Sequence, residues 1–364
     1  MRIAIFGLSI TSSWGNGHAV TYRGLARALA SRGHRVLFLE RDAPWYAGNR
    51  DLPAPPFCET VLYRRLKDLP QRHVQAVREA DLVIVGSYVP KGAQVGRFVL
   101  DTARGVRAFY DIDTPVTLAA LARGDCAYLD ASLVPAYDLY LSFTGGPTLT
   151  RLEEEFGSPM ARPLYCSVDP RNYYPVRRAP QWDLGYLGTY CPTRQPALAR
   201  LMLEPARSLA DRRFVVAGPQ YPKDIAWPGN VARVEHLPPP EHPGFYAAQR
   251  FTLNLTRADM VAAGWSPSIR LFEAGACGTP VVSDWWDGLD GFFRPGEEIV
   301  VASSAKEVAD CLAHTSEPER SRLGRAARAR VMEAHTADAR ARELMAYAEE
   351  AAGRDGQHPL HKAS

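Results

Sequence analysis

Short apolar segments alternate with amphipathic helical patterns along most of this chain, in two successive series. The first series predicts strands at residues 2–6, 34–40, 82–85, 106–110 and 139–143. The second series predicts strands at residues 183–188, 214–218, 231–235, 251–255 and 281–283. Buried strands that are separated by helices form parallel sheets covered on both faces. The sequence therefore predicts an α/β protein with two doubly wound domains.

A stretch rich in proline separates the two series. Four prolines fall within residues 159–175, and prolines at this density favour irregular backbone. The organisation that we expect is an N-terminal domain at 1–168, a C-terminal domain at 169–334, a helix at 335–352 and a disordered polar tail at 353–364. Ligands of open parallel sheets bind beyond the carboxyl ends of the strands, so we expect the chemistry to face a central cleft between the domains.

Composition excludes several classes of partner. The chain has 364 residues and a net charge of only +3, so neither nucleic acid nor an anionic membrane surface is indicated. Its longest apolar runs, such as residues 81–86, are too short to span a bilayer, and residues 1–7 resemble a strand rather than a signal peptide. The six cysteines include no Cys-x-x-Cys pair, which argues against a zinc site and favours a reducing cytoplasm.

Residues 266–284 read as a short helix followed by a buried strand. Ser266 is a good N-cap, Pro267 suits the first helical position, and Gly278 can end the helix. The apolar residues that follow Pro280 turn toward a core. This segment therefore predicts a helix whose amino-terminal amides stand at the carboxyl edge of a sheet.

The polar groups of this helix suit a nucleoside diphosphate. Unpaired amides at the positive end of a helix favour phosphate, Arg270 adds a charge, and Glu273 offers a carboxylate to ribose hydroxyls. The donor-binding residues that we expect here are Ser266, Ser268, Ile269, Arg270 and Glu273. The alternative is an ordinary amphipathic helix on which Arg270 and Glu273 pair at the surface.

A polar loop with glycines follows the first strand. Gly15 and Gly17 permit a close approach of the backbone to a ligand, and we expect both to bind the donor. The loop fits neither a Walker sequence nor the dinucleotide fingerprint, so a nicotinamide dehydrogenase is disfavoured. His18 stands where the loop becomes a helix. It is a candidate catalytic base, although a lone histidine is commonly structural.

Three further charged residues lie at predicted strand ends. Asp111 and Asp113 follow one strand, and two carboxylates so close together are costly without a purpose. One of them could orient His18 or contact a sugar hydroxyl, whereas an N-cap role would explain only one. Arg194 follows the first strand of the second series and could clamp a diphosphate. Its alternative is a solvated arginine at a helix start.

Several motifs carry a family resemblance. They are residues 111–115, 141–146, 266–284 and 287–296, together with His335-Thr336 and Arg340. On these motifs the chain resembles the CgeB-like spore-maturation proteins, members of the GT-B glycosyltransferase superfamily with a C-terminal domain like that of group 1 glycosyltransferases. The resemblance implies two Rossmann-like domains and a last helix that crosses back to the first. It also implies a nucleotide sugar held mainly by the C-terminal domain and an acceptor held mainly by the N-terminal one.

The chain departs from its retaining relatives at one position. The retaining relatives have two glutamates separated by seven residues. The position of the first is Trp265 in this chain, and the second matches Glu273, the implied ribose contact. Gly15-x-Gly17-His18 resembles instead the loop of inverting glycosyltransferases, whose histidine acts as a base beside an aspartate. His18 with Asp111 or Asp113 would reproduce that catalytic pair.

The resemblance predicts a glycosyltransferase of the hexosyltransferase type. It would move a sugar from a nucleoside-diphosphate donor, expected to be UDP-linked, to a hydroxyl acceptor, without a metal ion or a cofactor. A nucleotide-sugar epimerase and a non-catalytic GT-B-like binding or assembly protein are the alternatives. The sequence leaves open the donor sugar, the acceptor, the stereochemistry and the oligomeric state.

Overall fold

The structure, a computed structural model, describes residues 1–14 and 17–355 of the chain. It divides into two compact units. The first comprises Met1–Ser167 and the segment that begins at Ala337, and the second comprises Val168–Thr336. The chain therefore leaves the first unit once and returns to it with its last helix.

In the described part of the chain, the first unit is built on a seven-stranded parallel sheet. Its strands are β1 (Arg2–Gly7), β2 (Arg35–Arg41), β3 (Glu59–Tyr63), β4 (Leu82–Gly86), β5 (Val106–Asp111), β6 (Leu139–Ser142) and β7 (Ala161–Pro163). Their order is β3-β2-β1-β4-β5-β6-β7, and every neighbouring pair is parallel. The strands predicted in the first series are all present, and the order reverses beside β1 as in a doubly wound sheet.

Two edge strands of this sheet were not predicted. β3 is only partly buried, so its sequence lacks the apolar run that marks a central strand. β7 lies within the stretch that the prolines predicted to be an irregular linker, and this prediction is wrong for Ala161–Pro163. A proline is tolerated there because an edge strand needs hydrogen bonds on one side only.

Helices cover both faces of this sheet. They are α1 (Gly17–Ser31), α2 (Pro44–Ala47), α3 (Asp68–Arg72), α4 (Val74–Glu79), α5 (Gly92–Thr102), α6 (Thr114–Arg123), a 3₁₀ helix (Ala131–Ala136) and α7 (Pro147–Glu154). One cluster of buried apolar side chains fills each face, with Ile5 and Leu29 in the first and Phe6 and Phe109 in the second. Burial on both faces explains why the central strands read as continuous apolar runs.

In the described residues, the second unit repeats this plan on a six-stranded parallel sheet. Its strands are β8 (Trp182–Leu187), β9 (Phe214–Ala217), β10 (Val231–Val234), β11 (Gln249–Asn254), β12 (Val281–Ser283) and β13 (Val300–Val301), in the order β10-β9-β8-β11-β12-β13. Its helices are α8 (Gln195–Leu198), a π-helix (Ala199–Leu203), α9 (Glu204–Ser208), a 3₁₀ helix (Pro239–Glu241), α10 (His242–Ala247), α11 (Ala258–Ala263), α12 (Ile269–Ala276), α13 (Leu289–Phe292), α14 (Ala305–His314) and α15 (Glu317–Ala334). The prediction of two doubly wound α/β domains is confirmed.

Helix α12 begins later than its sequence predicts. Its N-cap is Ser268, whose hydroxyl accepts a hydrogen bond from the amide of Arg270, so the assignment of Ser266 as the cap is wrong. Ser268 has the extended backbone of an N-cap residue, with φ −80° and ψ 141°, so the first helical turn starts only at Ile269. The predicted end is confirmed, because Gly278 has a φ of +74° and lies just beyond the last turn.

The last helix, α16 (Ala337–Asp355), belongs to the first unit and packs on α1. The two helices approach closely at Gly24, where an added Cβ would lie 3.2 Å from that of Ala337. α16 runs three residues past the predicted end at 352, and the rest of the predicted tail, 356–364, lies outside the described residues. Within those residues, no helix is both long and apolar enough to cross a membrane.

Candidate functional site

Strands β8, β11 and β12 lie side by side in the second unit. Arg194 lies beyond the carboxyl end of β8, and α12 connects β11 to β12. Because parallel strands end at the same edge of a sheet, the fold brings Arg194 and Arg270 together, although the sequence separates them widely.

Within the described residues, the guanidinium groups of Arg194 and Arg270 have no carboxylate partner. Nη2 of Arg194 donates to the carbonyl of Thr189 at 2.9 Å, and Nη2 of Arg270 donates to that of Leu255 at 3.4 Å. The buried Nε atoms of both arginines have no hydrogen-bond acceptor in the same described set. Burial, and then the neighbouring charge of Arg270, lowers the pKa of Arg194. Two adjacent, partly buried cations form a site that an anion would stabilise.

Glu273 faces inward from the same helix. It is only 5% exposed, and the Tyr246 hydroxyl donates to its Oε2 at 3.0 Å. Burial and then the nearby charge of Glu273 raise the pKa of Tyr173, which places this tyrosine close to the carboxylate. The alternative in which Arg270 and Glu273 pair on the surface is therefore wrong. The sequence missed both tyrosines, because nothing in their local pattern distinguishes them from core aromatic residues.

The start of α12 supplies polar groups near the arginines. Ser266 is buried before the helix, whereas Ser268 and Ile269 are partly buried at its first turn. Since Ser268 caps the amide of Arg270, the amino-terminal end of the helix lies two residues later than predicted. These three residues still lie at the amino-terminal end of α12, and their binding of the donor stays a prediction.

Trp265 occupies a strained turn. Its φ is +43°, and its amide donates to the carbonyl of Asp287 at 2.6 Å. The indole packs against Gly288, where an added Cβ would lie 2.6 Å from the ring. The indole of Trp265 therefore packs on a neighbouring turn.

In the first unit, strands β1, β4 and β5 are neighbours, and a second constellation gathers beyond their carboxyl ends. The ring of His18, in the first turn of α1, meets the ring of Tyr88 edge-on with 5.2 Å between centroids. The Tyr88 hydroxyl donates to Oδ2 of Asp113 at 3.0 Å. Tyr88 thus connects the candidate base to one candidate carboxylate. The sequence missed it, although an aromatic residue just after a buried strand, like the aspartates after β5, gave a signal.

Asp111 has a different environment from Asp113. Its side chain is fully buried and accepts hydrogen bonds from the Tyr140 hydroxyl at 2.7 Å and the Thr117 hydroxyl at 2.8 Å. Burial raises its pKa to about 6. In the described residues its carboxylate forms no hydrogen bond to His18, and the catalytic pairing of His18 with Asp111 or Asp113 stays a prediction.

Asp113 precedes α6 but does not act as its side-chain cap. It occupies the N-cap position without a side-chain capping hydrogen bond, so the alternative of an N-cap role does not account for its side chain.

Burial lowers the pKa of His18 to about 4, which leaves its imidazole neutral at pH 7. Gly17 begins α1 and is exposed, and among the described residues no atom lies within 4 Å of the position of an added Cβ. Gly15, the other predicted glycine contact, lies outside the described residues.

No group of three or more histidine, cysteine, aspartate or glutamate side chains could hold a metal ion in the part of the chain that the structure describes. The positive charge at the start of α12 comes from Arg194 and Arg270. Metal independence stays a prediction.

The sequence of the C-terminal part is similar to one family of known proteins. Residues 194–346 match the family model described as glycosyl transferase-like, a segment that begins at Arg194 and includes α12. The match does not distinguish the CgeB-like branch. Comparison with curated proteins gave no match.

Solved structures match nearly the whole chain. They include Anabaena Alr3699/HepE in complex with UDP-glucose (14% identity, 96% of this chain, 100% of that chain, TM-score 0.69), and sucrose-phosphate synthase (tll1590) from Thermosynechococcus elongatus (15%, 96%, 98%, 0.64). A third is the E. coli protein described as trehalose-6-phosphate bound with UDP-2-fluoro glucose (11%, 96%, 99%, 0.67). At these identities the similarity establishes the fold, and this chain has the two-domain Rossmann-like GT-B fold.

Proposed function

We propose that this protein transfers a sugar from a UDP-linked donor to a hydroxyl acceptor. One observation carries the proposal: Arg194 and Arg270 lie together at the edge of the unit that matches the glycosyl transferase-like model. Neither arginine has a counter-ion among the described residues. A nucleoside diphosphate supplies the missing negative charge. Structural neighbours that bind UDP or UDP-glucose support the choice of nucleotide.

The second unit would bind the donor. The diphosphate would contact the two arginines and the start of α12, at Ser268 and Ile269. Glu273 would accept a hydrogen bond from a ribose hydroxyl. Negative charge on the diphosphate grows as the bond from the anomeric carbon to the phosphate oxygen breaks, so fixed positive charge stabilises the transition state more than the ground state. In this scheme neither a metal ion nor a cofactor is needed.

The first unit would activate the acceptor. His18 is neutral at pH 7 and takes the proton of the acceptor hydroxyl as its oxygen bonds to the anomeric carbon, while UDP leaves with the bonding electron pair. Asp113, connected through Tyr88, would stabilise the resulting imidazolium. Direct attack assisted by a base inverts the anomeric carbon. The anomeric configuration of the product therefore tests this step.

A binding experiment tests the donor site residue by residue. Calorimetry with UDP and with pyrophosphate should show that Arg194→Met and Arg270→Met weaken both ligands, because both contain the diphosphate. Glu273→Gln should weaken UDP alone, because pyrophosphate has no ribose. Equal affinity of wild type and both arginine variants for UDP would refute the proposed site. The exposed Arg200 supplies the matched control, Arg200→Met.

Trp265 favours a second candidate function. Because it replaces the glutamate of retaining relatives, a non-catalytic binding protein of the same fold would keep the diphosphate site and lose turnover. Incubation with UDP-sugars separates the possibilities: UDP release indicates transfer to an acceptor or to water. Conversion of the donor to an isomer indicates an epimerase, and tight binding with an unchanged donor indicates a binding protein.

A further inference from the structure

The two most exposed large hydrophobic side chains in the described residues both belong to the first unit. Trp45 is 67% exposed and Trp14 is 53% exposed. Trp14 lies in the segment that follows β1, and Trp45 lies in α2, which follows β2. Since β1 and β2 are neighbours and parallel, both indoles belong to the carboxyl edge of the sheet, the edge that also bears His18.

The two segments are tied together by hydrogen bonds. The Ser12 hydroxyl donates to the carbonyl of Asn49 at 2.6 Å, and the Asn49 side chain donates to the carbonyl of Trp45 at 3.2 Å. Deeper in the fold, the buried Glu40 carboxylate accepts the amides of Ile10 and Thr11 at 2.7 and 3.0 Å. The backbone that carries both tryptophans is therefore held in place from below.

Ion-paired polar side chains lie on α1 and on the segments that carry the tryptophans. Arg23 forms a two-pronged ion pair with Asp51, both contacts at 2.8 Å, and Ser13 donates to the same carboxylate. Arg50 pairs with Asp42 at 2.6 Å. Arg64 shares Asp42 with Arg50, so each of these arginines contacts a carboxylate and they form no cluster of unpaired positive charge of the kind that binds an anionic membrane or a nucleic acid.

We infer that this tryptophan surface, made of Trp14, Trp45 and the Arg23–Asp51 pair, binds a saccharide as the acceptor. A sugar ring offers apolar C–H faces to an indole and hydroxyls to neighbouring carboxylates, guanidinium groups and serine hydroxyls. A rim of exposed indoles among paired charges has this same mixture. The role as acceptor site rests on the proposed sugar transfer, whereas saccharide binding itself does not.

A glycan array followed by calorimetry tests the inference. Full-length wild type should bind one or more saccharides, and Trp14→Ala and Trp45→Ala should each weaken the best of them roughly tenfold or more. Trp45→Phe keeps an aromatic face and should retain most of the affinity. Tyr174→Ala removes a similarly exposed aromatic residue, at 50%, from the other unit and should bind like wild type.

Three results would overturn the inference. They are the absence of any bound glycan, glycan binding unchanged in both tryptophan-to-alanine variants, and tryptophan-dependent capture on phosphatidylglycerol vesicles without glycan binding. UDP affinity is measured on every variant and should be unchanged, which shows that the variants are folded. A wild-type protein that binds a glycan but does not bind UDP would refute the proposed donor chemistry. The inference that the tryptophan surface binds a saccharide would not be affected.

Discussion

The hydroxyl of Tyr88 donates a hydrogen bond to Oδ2 of Asp113 across 3.0 Å, while the ring of the same tyrosine packs edge-on against His18. Tyr88 has a φ of +63°, an uncommon conformation for a residue with a side chain, which costs on the order of 1–3 kcal/mol. The surrounding fold therefore holds a strained residue between a candidate base and a candidate carboxylate, as is common at functional sites.

Replacement of Tyr88 by phenylalanine should slow transfer without weakening the donor. Tyr88→Phe keeps the ring against His18 but removes the hydroxyl that reaches Asp113, so we expect kcat to fall about tenfold or more while the KM for the donor stays constant. The control is Tyr63→Phe, which removes a buried hydroxyl without a partner in the described residues. An unchanged kcat for Tyr88→Phe would show that the connection has no part in catalysis.

Two buried groups should make opposite contributions to the pH dependence of stability. The pKa of His18 is lowered from 6.5 to about 4, so its contribution to the free energy of unfolding is lost as pH falls across that interval. The pKa of Asp111 is raised from 3.8 to about 6, so its contribution grows as pH falls across nearly the same interval. Each shift corresponds to about 3 kcal/mol, and the two effects oppose each other in the wild type.

Single variants separate the two effects. Relative to wild type, His18→Asn should gain stability as pH falls from 6.5 to 4, and Asp111→Asn should lose it. Urea denaturation at several pH values measures the difference, and carboxylates common to all three proteins drop out of the comparison. Parallel stability curves for the wild type and both variants would contradict the burial-induced shifts.

The pair of arginines should lower the free energy of unfolding of the protein without ligand. Arg194 is desolvated beside Arg270, so Arg194→Met should leave the free energy of unfolding unchanged or raise it in the absence of ligand. The same variant should bind UDP more weakly by about 1.5–3 kcal/mol, the range for hydrogen bonds to charged groups. Thermal unfolding with and without UDP reports both effects. A loss of stability without ligand would show that Arg194 has a structural role instead.

The sequence predicted those features that follow from local pattern. Central strands such as β4 are buried on both faces and therefore appear as apolar runs, whereas the edge strand β3 is half exposed and gave no such signal. Arg194 was identified from its position after a strand, and Arg270 from its position near the start of a helix. Glu273 does not pair with either arginine, because it faces inward and accepts a hydrogen bond from Tyr246 of another element. Tertiary contacts of this kind leave no periodic pattern in a sequence.

Transfer should survive removal of divalent metal ions. A metal ion in a sugar transferase would neutralise the leaving diphosphate, and here Arg194 and Arg270 would supply that charge from fixed positions. We therefore expect the same kcat with EDTA as with Mg²⁺ in the wild type. An activity that EDTA abolishes and Mg²⁺ restores would mean that the arginines alone do not stabilise the leaving group. If Arg194→Met lost its activity and regained part of it with added Mg²⁺, the missing contribution would be positive charge rather than packing.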